Sequence, residues 1–117
     1  MHSFEKLTSF TKSVFLKMGC SEEHAELASK VLVSADLRGI DSHGVARLSG
    51  YTRLWEASRI NAKPQIKVVH ETPSTAVVDG DAGLGLVVGP SAMDIAIEKA
   101  KNVGTGWVSV KNSNHFG

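Results

Sequence analysis

Residues 79–90 read DGDAGLGLVVGP, a glycine-rich stretch set between a β-branched run and an apolar helical pattern. A dinucleotide-binding G-x-G-x-x-G would stand in such a place, after a strand and before a helix. Gly83 and Gly85 supply the first G-x-G, but the third glycine is Gly89, one residue late. No acidic residue follows a second strand at the distance where that fold binds a ribose hydroxyl. The stretch therefore reads as a flexible turn into a helix opening at Pro90, whose fixed φ and missing N–H suit a first helical turn. This argues against a Rossmann unit, while the elements on either side still alternate as α/β.

Upstream, QIKVVHE (65–71) and STAVVDG (74–80) are β-branched runs bounded by proline, glycine and serine, and they read as strands. Downstream, Met93, Ile97 and Ala100 continue the apolar face of the helix, and GWVSVKN (106–112) is a further strand running into NSNHFG (112–117). The first sixty residues follow a different period. Phe4, Leu7, Phe10, Val14 and Met18 recur at helical steps, and Gly19 is placed to end that helix. Ser21 caps a second helix with Glu22 and Glu23 in its first turn, where the macrodipole favours negative charge. Ala25, Ala28, Val31, Leu32 and Ala35 are its expected buried stripe, and Gly39 closes it. A third helix is expected from Asp41 or Ser42 to about Ser58, with Val45, Leu48 and Trp55 as its apolar positions. The fold class is mixed α/β. A three-helix unit over 1–62 precedes, over 63–117, the beginning of a non-Rossmann α/β domain.

The totals narrow the function. A net charge of +1 over 117 residues leaves no electrostatic footprint for nucleic acid or anionic lipid. No apolar run reaches membrane-spanning length, and MHSFEKLTSF lacks the basic and apolar regions of a secretory signal. The single cysteine, Cys20, cannot form an internal disulfide, which suits a reducing cytoplasm. Five histidines show no ligand spacing, and neither H-E-x-x-H nor a serine-hydrolase elbow is present, so no metal is expected. His2, His24 and His70 read as surface residues.

Two constellations remain. In RGIDSHGVARLSGY (38–51), His43, Arg47 and Tyr51 stand four apart, a polar stripe about 120° from the apolar positions if the segment is helical. A solvated face and a binding site are equally served by that spacing. Gly44, a poor helix former in what would be a first turn, points to close approach by a ligand or another backbone. At such an N-terminus the macrodipole would favour neutral imidazole at His43. NSNHFG, following an apolar strand, suits a loop at a strand's C-terminal end, where open α/β sheets bind ligands. The alternative is a polar turn in which Asn112 and Asn114 tolerate left-handed backbone, but His115 followed by Phe116 and a glycine is less expected in a mere turn, which favours a site.

Together, DSHGVARLSGY, the GLG segment with its AMDIAIEKA helix, and GTGWVSVKNSNHFG resemble the type 2 malate/L-lactate dehydrogenase family, in its order and from end to end of the chain. That family also includes ureidoglycolate, sulfolactate and diketogulonate dehydrogenases. The resemblance implies a sulfolactate-dehydrogenase-like, non-Rossmann fold and NAD- or NADP-dependent hydride transfer at C2 of a 2-hydroxy acid or its keto form. It implies that His43 and His115 are the catalytic histidines, that Arg47 binds the substrate carboxylate, and that Tyr51 lies in the same cleft. A cytoplasmic homodimer acting on a small molecule, without nucleic acid or membrane partners, is expected. Family members are several times longer, so the chain reads as an N-terminal piece, with most of the cofactor-binding residues expected beyond Gly117 and none assigned within it. The alternative is an inactive remnant or an interaction fragment.

Overall fold

The computed structural model describes residues 1–116, and Gly117, the last residue of NSNHFG, lies outside the described residues. The described chain is mixed α/β, with four α-helices and a three-stranded sheet. It forms two compact units, Met1–Lys63 and Pro64–Phe116.

In the first unit, α1 (Phe4–Lys17) and α2 (Glu22–Leu37) are capped by serines. The Ser3 hydroxyl accepts from the Lys6 amide and the Ser21 hydroxyl from the His24 amide, both at 3.2 Å. Both helices end in the same motif. Gly19 (φ 99°) donates to the Leu16 carbonyl while Cys20 reaches back to Phe15. Gly39 (φ 72°) donates to Asp36 while Ile40 reaches Ala35. These paired bonds need a left-handed residue after the cap, which glycine adopts without strain. Replacing Ser21 by alanine removes one capping acceptor and is expected to cost about 1 kcal/mol, measured by urea denaturation.

The buried face of α1 departs from the expected stripe. Phe10 is 58% exposed, while Thr11 and Phe15 are buried; Met18, at the end of the expected stripe, is buried as expected. The sequence carries two overlapping apolar lines on one helix, and packing against α2 selected the line through Phe15. On α2, Ala25, Ala28 and Leu32 are buried as expected. Ser29 and Val33 join them, whereas Val31 and Ala35 are only half-buried. The third helix is the larger correction. Two single 3-10 turns, Asp41–His43 and Val45–Arg47, come first, and α3 spans only Leu48–Glu56.

In the second unit, β1 (Lys67–Glu71) and β2 (Thr75–Gly83) form an antiparallel pair, and β3 (Trp107–Ser113) lies parallel to β2 on its other side. The crossover is α4, Gly85–Val103, ended by left-handed Gly104. The Lys99 ammonium donates to the Glu71 carboxylate at 2.9 Å and to the Thr72 carbonyl at 2.8 Å, tying the β1–β2 hairpin to α4. The helix opens at Gly85 rather than Pro90, so residues 85–89 are helical and Pro90 lies inside the helix. Asp81 and Ala82, at φ 50° and 56°, bulge the end of β2, and the helix follows at once through Leu84. Trp107 (75% exposed), Met93 and Phe116 border an apolar cleft of about 330 Å³ on α4 and β3. Among the described residues, no helix is long and apolar enough to cross a membrane.

Candidate functional site

The expected stripe of His43, Arg47 and Tyr51 is not a stripe on one helix. Gly44, at φ −93° and ψ −145°, is non-helical and separates the two 3-10 turns. His43 ends the first turn and Arg47 the second, while Tyr51 sits on α3. Because α3 opens at Leu48, the N-terminal end of its macrodipole does not lie at His43.

The turns nevertheless bring His43 and Arg47 into one bonded set through Ser42. The Ser42 hydroxyl lies 2.9 Å from Nδ1 of His43, and the Ser42 carbonyl accepts from Nε of Arg47 at 2.7 Å. A bond at Nδ1 sets which ring nitrogen faces outward, because the two nitrogens of a neutral imidazole have opposite roles. With Nε engaged, the guanidinium presents the edge carrying its two Nη nitrogens, the fork that matches a carboxylate. Arg47 is exposed and His43 half-buried.

Tyr51 differs from both. It is 4% exposed, and burial pushes its phenol above the ordinary value, with the Arg47 charge opposing more weakly. A phenol is neutral at neutral pH even at its ordinary value, and burial moves it further the same way.

Gly44 is explained by a residue that the spacing does not single out. The Asp36 carboxylate, near the end of α2, accepts from the Val45 amide at 2.8 Å. It occupies the space where a Cβ on Gly44 would stand. The close approach expected at Gly44 is thus made by an acidic side chain of the chain itself. Its partner lies nine residues away, beyond the reach of a helical period.

In the second unit, NSNH is largely a brace. Asn114 donates through Nδ2 to the carbonyls of Ala82 (2.8 Å) and Gly83 (3.1 Å), closing the β2–α4 turn. Asn112, at φ 51°, directs Nδ2 to the Asp79 carboxylate at 3.2–3.3 Å. The Asp79 carboxyl lies below its usual range because the Asp81 amide donates to it, aided by Asn112 and by the charges of Lys111 and Lys67. That brace holds above the ordinary carboxylate range and weakens as pH falls through the lowered value. His115 is exposed at the end of this loop.

At Gly85 the glycine-rich turn makes room for the chain's own backbone. A Cβ on Gly85 would run into the carbonyl oxygens of Asn114 and His115. Among the described residues, no three His, Cys, Asp or Glu side chains gather as a metal site.

The profile of the malate/L-lactate dehydrogenase family matches residues 2–117. The chain is 53% identical over 104 residues to the L-sulfolactate dehydrogenase of Methanocaldococcus jannaschii, covering 89% of this chain and 30% of that protein. It is 50% identical over 113 residues to the malate dehydrogenase of Pyrococcus abyssi, covering 97% of this chain and 31% of that one. The solved sulfolactate dehydrogenase of M. jannaschii superposes with a TM-score of 0.96 at 49% identity, over 98% of this chain and 33% of the other. The chain therefore spans about a third of the length of these relatives. With its non-Rossmann order of elements and the Ser42–His43–Gly44 turn joined to Arg47, the chain belongs to the malate/L-lactate dehydrogenase family.

Proposed function

We propose that this chain carries the substrate-side residues of an oxidoreductase acting on the CH–OH group of a 2-hydroxy acid such as malate or lactate, or on the matching 2-keto acid. The observation that carries the reading is Ser42, which holds a histidine through its hydroxyl and an arginine through its carbonyl. Oxidising an alcohol by hydride loss requires its hydroxyl proton to leave, and imidazole accepts protons near neutral pH. A guanidinium fork fixes the adjacent carboxylate and so orients C2. NAD or NADP is the hydride acceptor of this proposal. No residue of this chain is assigned to hold it.

In this reading His43 exchanges the hydroxyl proton, Arg47 binds the C1 carboxylate, and the neutral Tyr51 hydroxyl donates to the substrate. His115 is the second catalytic histidine, assigned by the family resemblance. The chain by itself is proposed to be inactive. The relatives named for malate and sulfolactate act on acids that share the 2-hydroxycarboxylate group and differ beyond C2. A homodimer and a cytoplasmic setting belong to the same proposal. The setting rests on Cys20, the single cysteine of this chain, which cannot form an internal disulfide.

The test replaces the matching stretch of the P. abyssi malate dehydrogenase with this chain. NADH and NADPH oxidation is then followed with oxaloacetate, pyruvate and sulfopyruvate, alongside the chain alone. Turnover by the swapped protein and none by the chain alone is expected. Arg47→Ala in the swapped protein is expected to lower kcat/KM about 100-fold, mainly through KM, the order for a lost charge-assisted pair. An unchanged KM would remove Arg47 from the carboxylate site.

A further inference from the structure

The structure assigns Asp36 as a positioning residue for the His43–Arg47 pair, a role that rests on the function proposed above. Asp36 lies in the last turn of α2, where the helix presents carbonyls and its macrodipole disfavours an anion. No basic residue shares that last turn. Helix stability therefore gives no reason for an acid at this position. Its side chain instead leaves the helix and accepts from the Val45 amide at 2.8 Å.

That amide is the first N–H of the second 3-10 turn, directly after the non-helical residue Gly44. Gly44 is buried, and its missing side chain is the space the Asp36 carboxylate fills. Carboxylate and glycine are thus complementary parts of one joint. The joint holds the turn ending in His43 against the turn ending in Arg47, and Ser42 completes it from the other side. Two groups that must act on adjacent atoms of one small acid, the C1 carboxylate and the C2 hydroxyl, need a fixed separation. Errors of about 1 Å in such positioning can cost about 100-fold in rate. Asp36 sets that separation without touching substrate.

Amide hydrogen exchange of the full chain, with turnover of the swapped enzyme, tests the assignment. Asp36→Ala and Gly44→Ala are each expected to release the Val45 amide to exchange, the first by removing the acceptor and the second by pushing it away. Asp36→Asn retains a carbonyl acceptor and is expected to keep Val45 protected. In the swapped enzyme, Asp36→Ala and Gly44→Ala lower kcat/KM by about 10- to 100-fold, and Asp36→Asn restores most of it. Adding Gly44→Ala to Asp36→Ala costs less than it costs the wild type, because the carboxylate it would strike is gone.

Should Asp36→Ala fail to fold, Gly44→Ala and Asp36→Asn carry the same comparison. A Val45 amide that stays protected in Gly44→Ala, or Asp36→Asn as impaired as Asp36→Ala, overturns the assignment. Full turnover after His43→Ala would instead reject the functional reading and leave the exchange result standing.

Discussion

Replacing His43 by alanine in the swapped enzyme lowers kcat by about 10²–10⁴-fold, the range for loss of a positioned acid–base group. KM is expected to change little, because the proposed carboxylate clamp, Arg47, is held through the Ser42 backbone carbonyl, which His43→Ala leaves in place. A fall in kcat at constant KM separates this effect from that of Arg47→Ala, in which KM rises. Ser42→Ala removes the hydroxyl beside Nδ1 but keeps the carbonyl that Arg47 uses, so it lowers kcat less than His43→Ala. His115→Ala, measured beside it, decides which histidine carries the proton. Unchanged turnover in both histidine variants would refute both roles.

Gly106→Ala destabilises the second unit by about 3 kcal/mol, at the upper end of what overpacking costs. The added Cβ would fall on the carbonyl oxygen and backbone of Ala96 in α4. A helix backbone cannot turn aside as a side chain can. Relief therefore requires α4 and the start of β3 to part. Gly104→Ala is the control: nothing stands within 4 Å of its Cβ position, and only the left-handed backbone at φ 90° is strained. That change costs about 1 kcal/mol. Urea denaturation of the two variants should rank them in this order, and equal losses would show that the contact with Ala96 does not govern.

Both predictions touch features that the sequence displays unequally. Gly104 follows an amphipathic run, and its role as a helix stop could be read from neighbours. Gly106 is two residues further on, and only the position of Ala96 shows why a side chain is excluded there. The same contrast holds at the site. His43, Arg47 and Tyr51 could be picked out as polar groups at regular spacing, but the regular helix that spacing implies is absent. Gly44 breaks it, Tyr51 is buried, and Ser42 holds the other two together. The Asn residues of NSNH were legible as turn formers. Asn112 does adopt left-handed backbone, whereas Asn114 acts through its side chain on the Ala82 and Gly83 carbonyls.

By itself the sequence determined the ends of α1 and α2, the serine-led start of α2, the three strand runs and the family. Caps, glycine stops and side-chain alternation act over a few residues, so local chemistry suffices for them. Only the tertiary structure decided where α4 begins, which line of α1 is buried and why Gly44 is glycine. Each depends on groups far apart in the chain: Gly85 on the carbonyls of Asn114 and His115, Phe15 on α2, and Gly44 on the Asp36 carboxylate. A residue's neighbours in space, unlike its neighbours in sequence, exist only once the chain has folded.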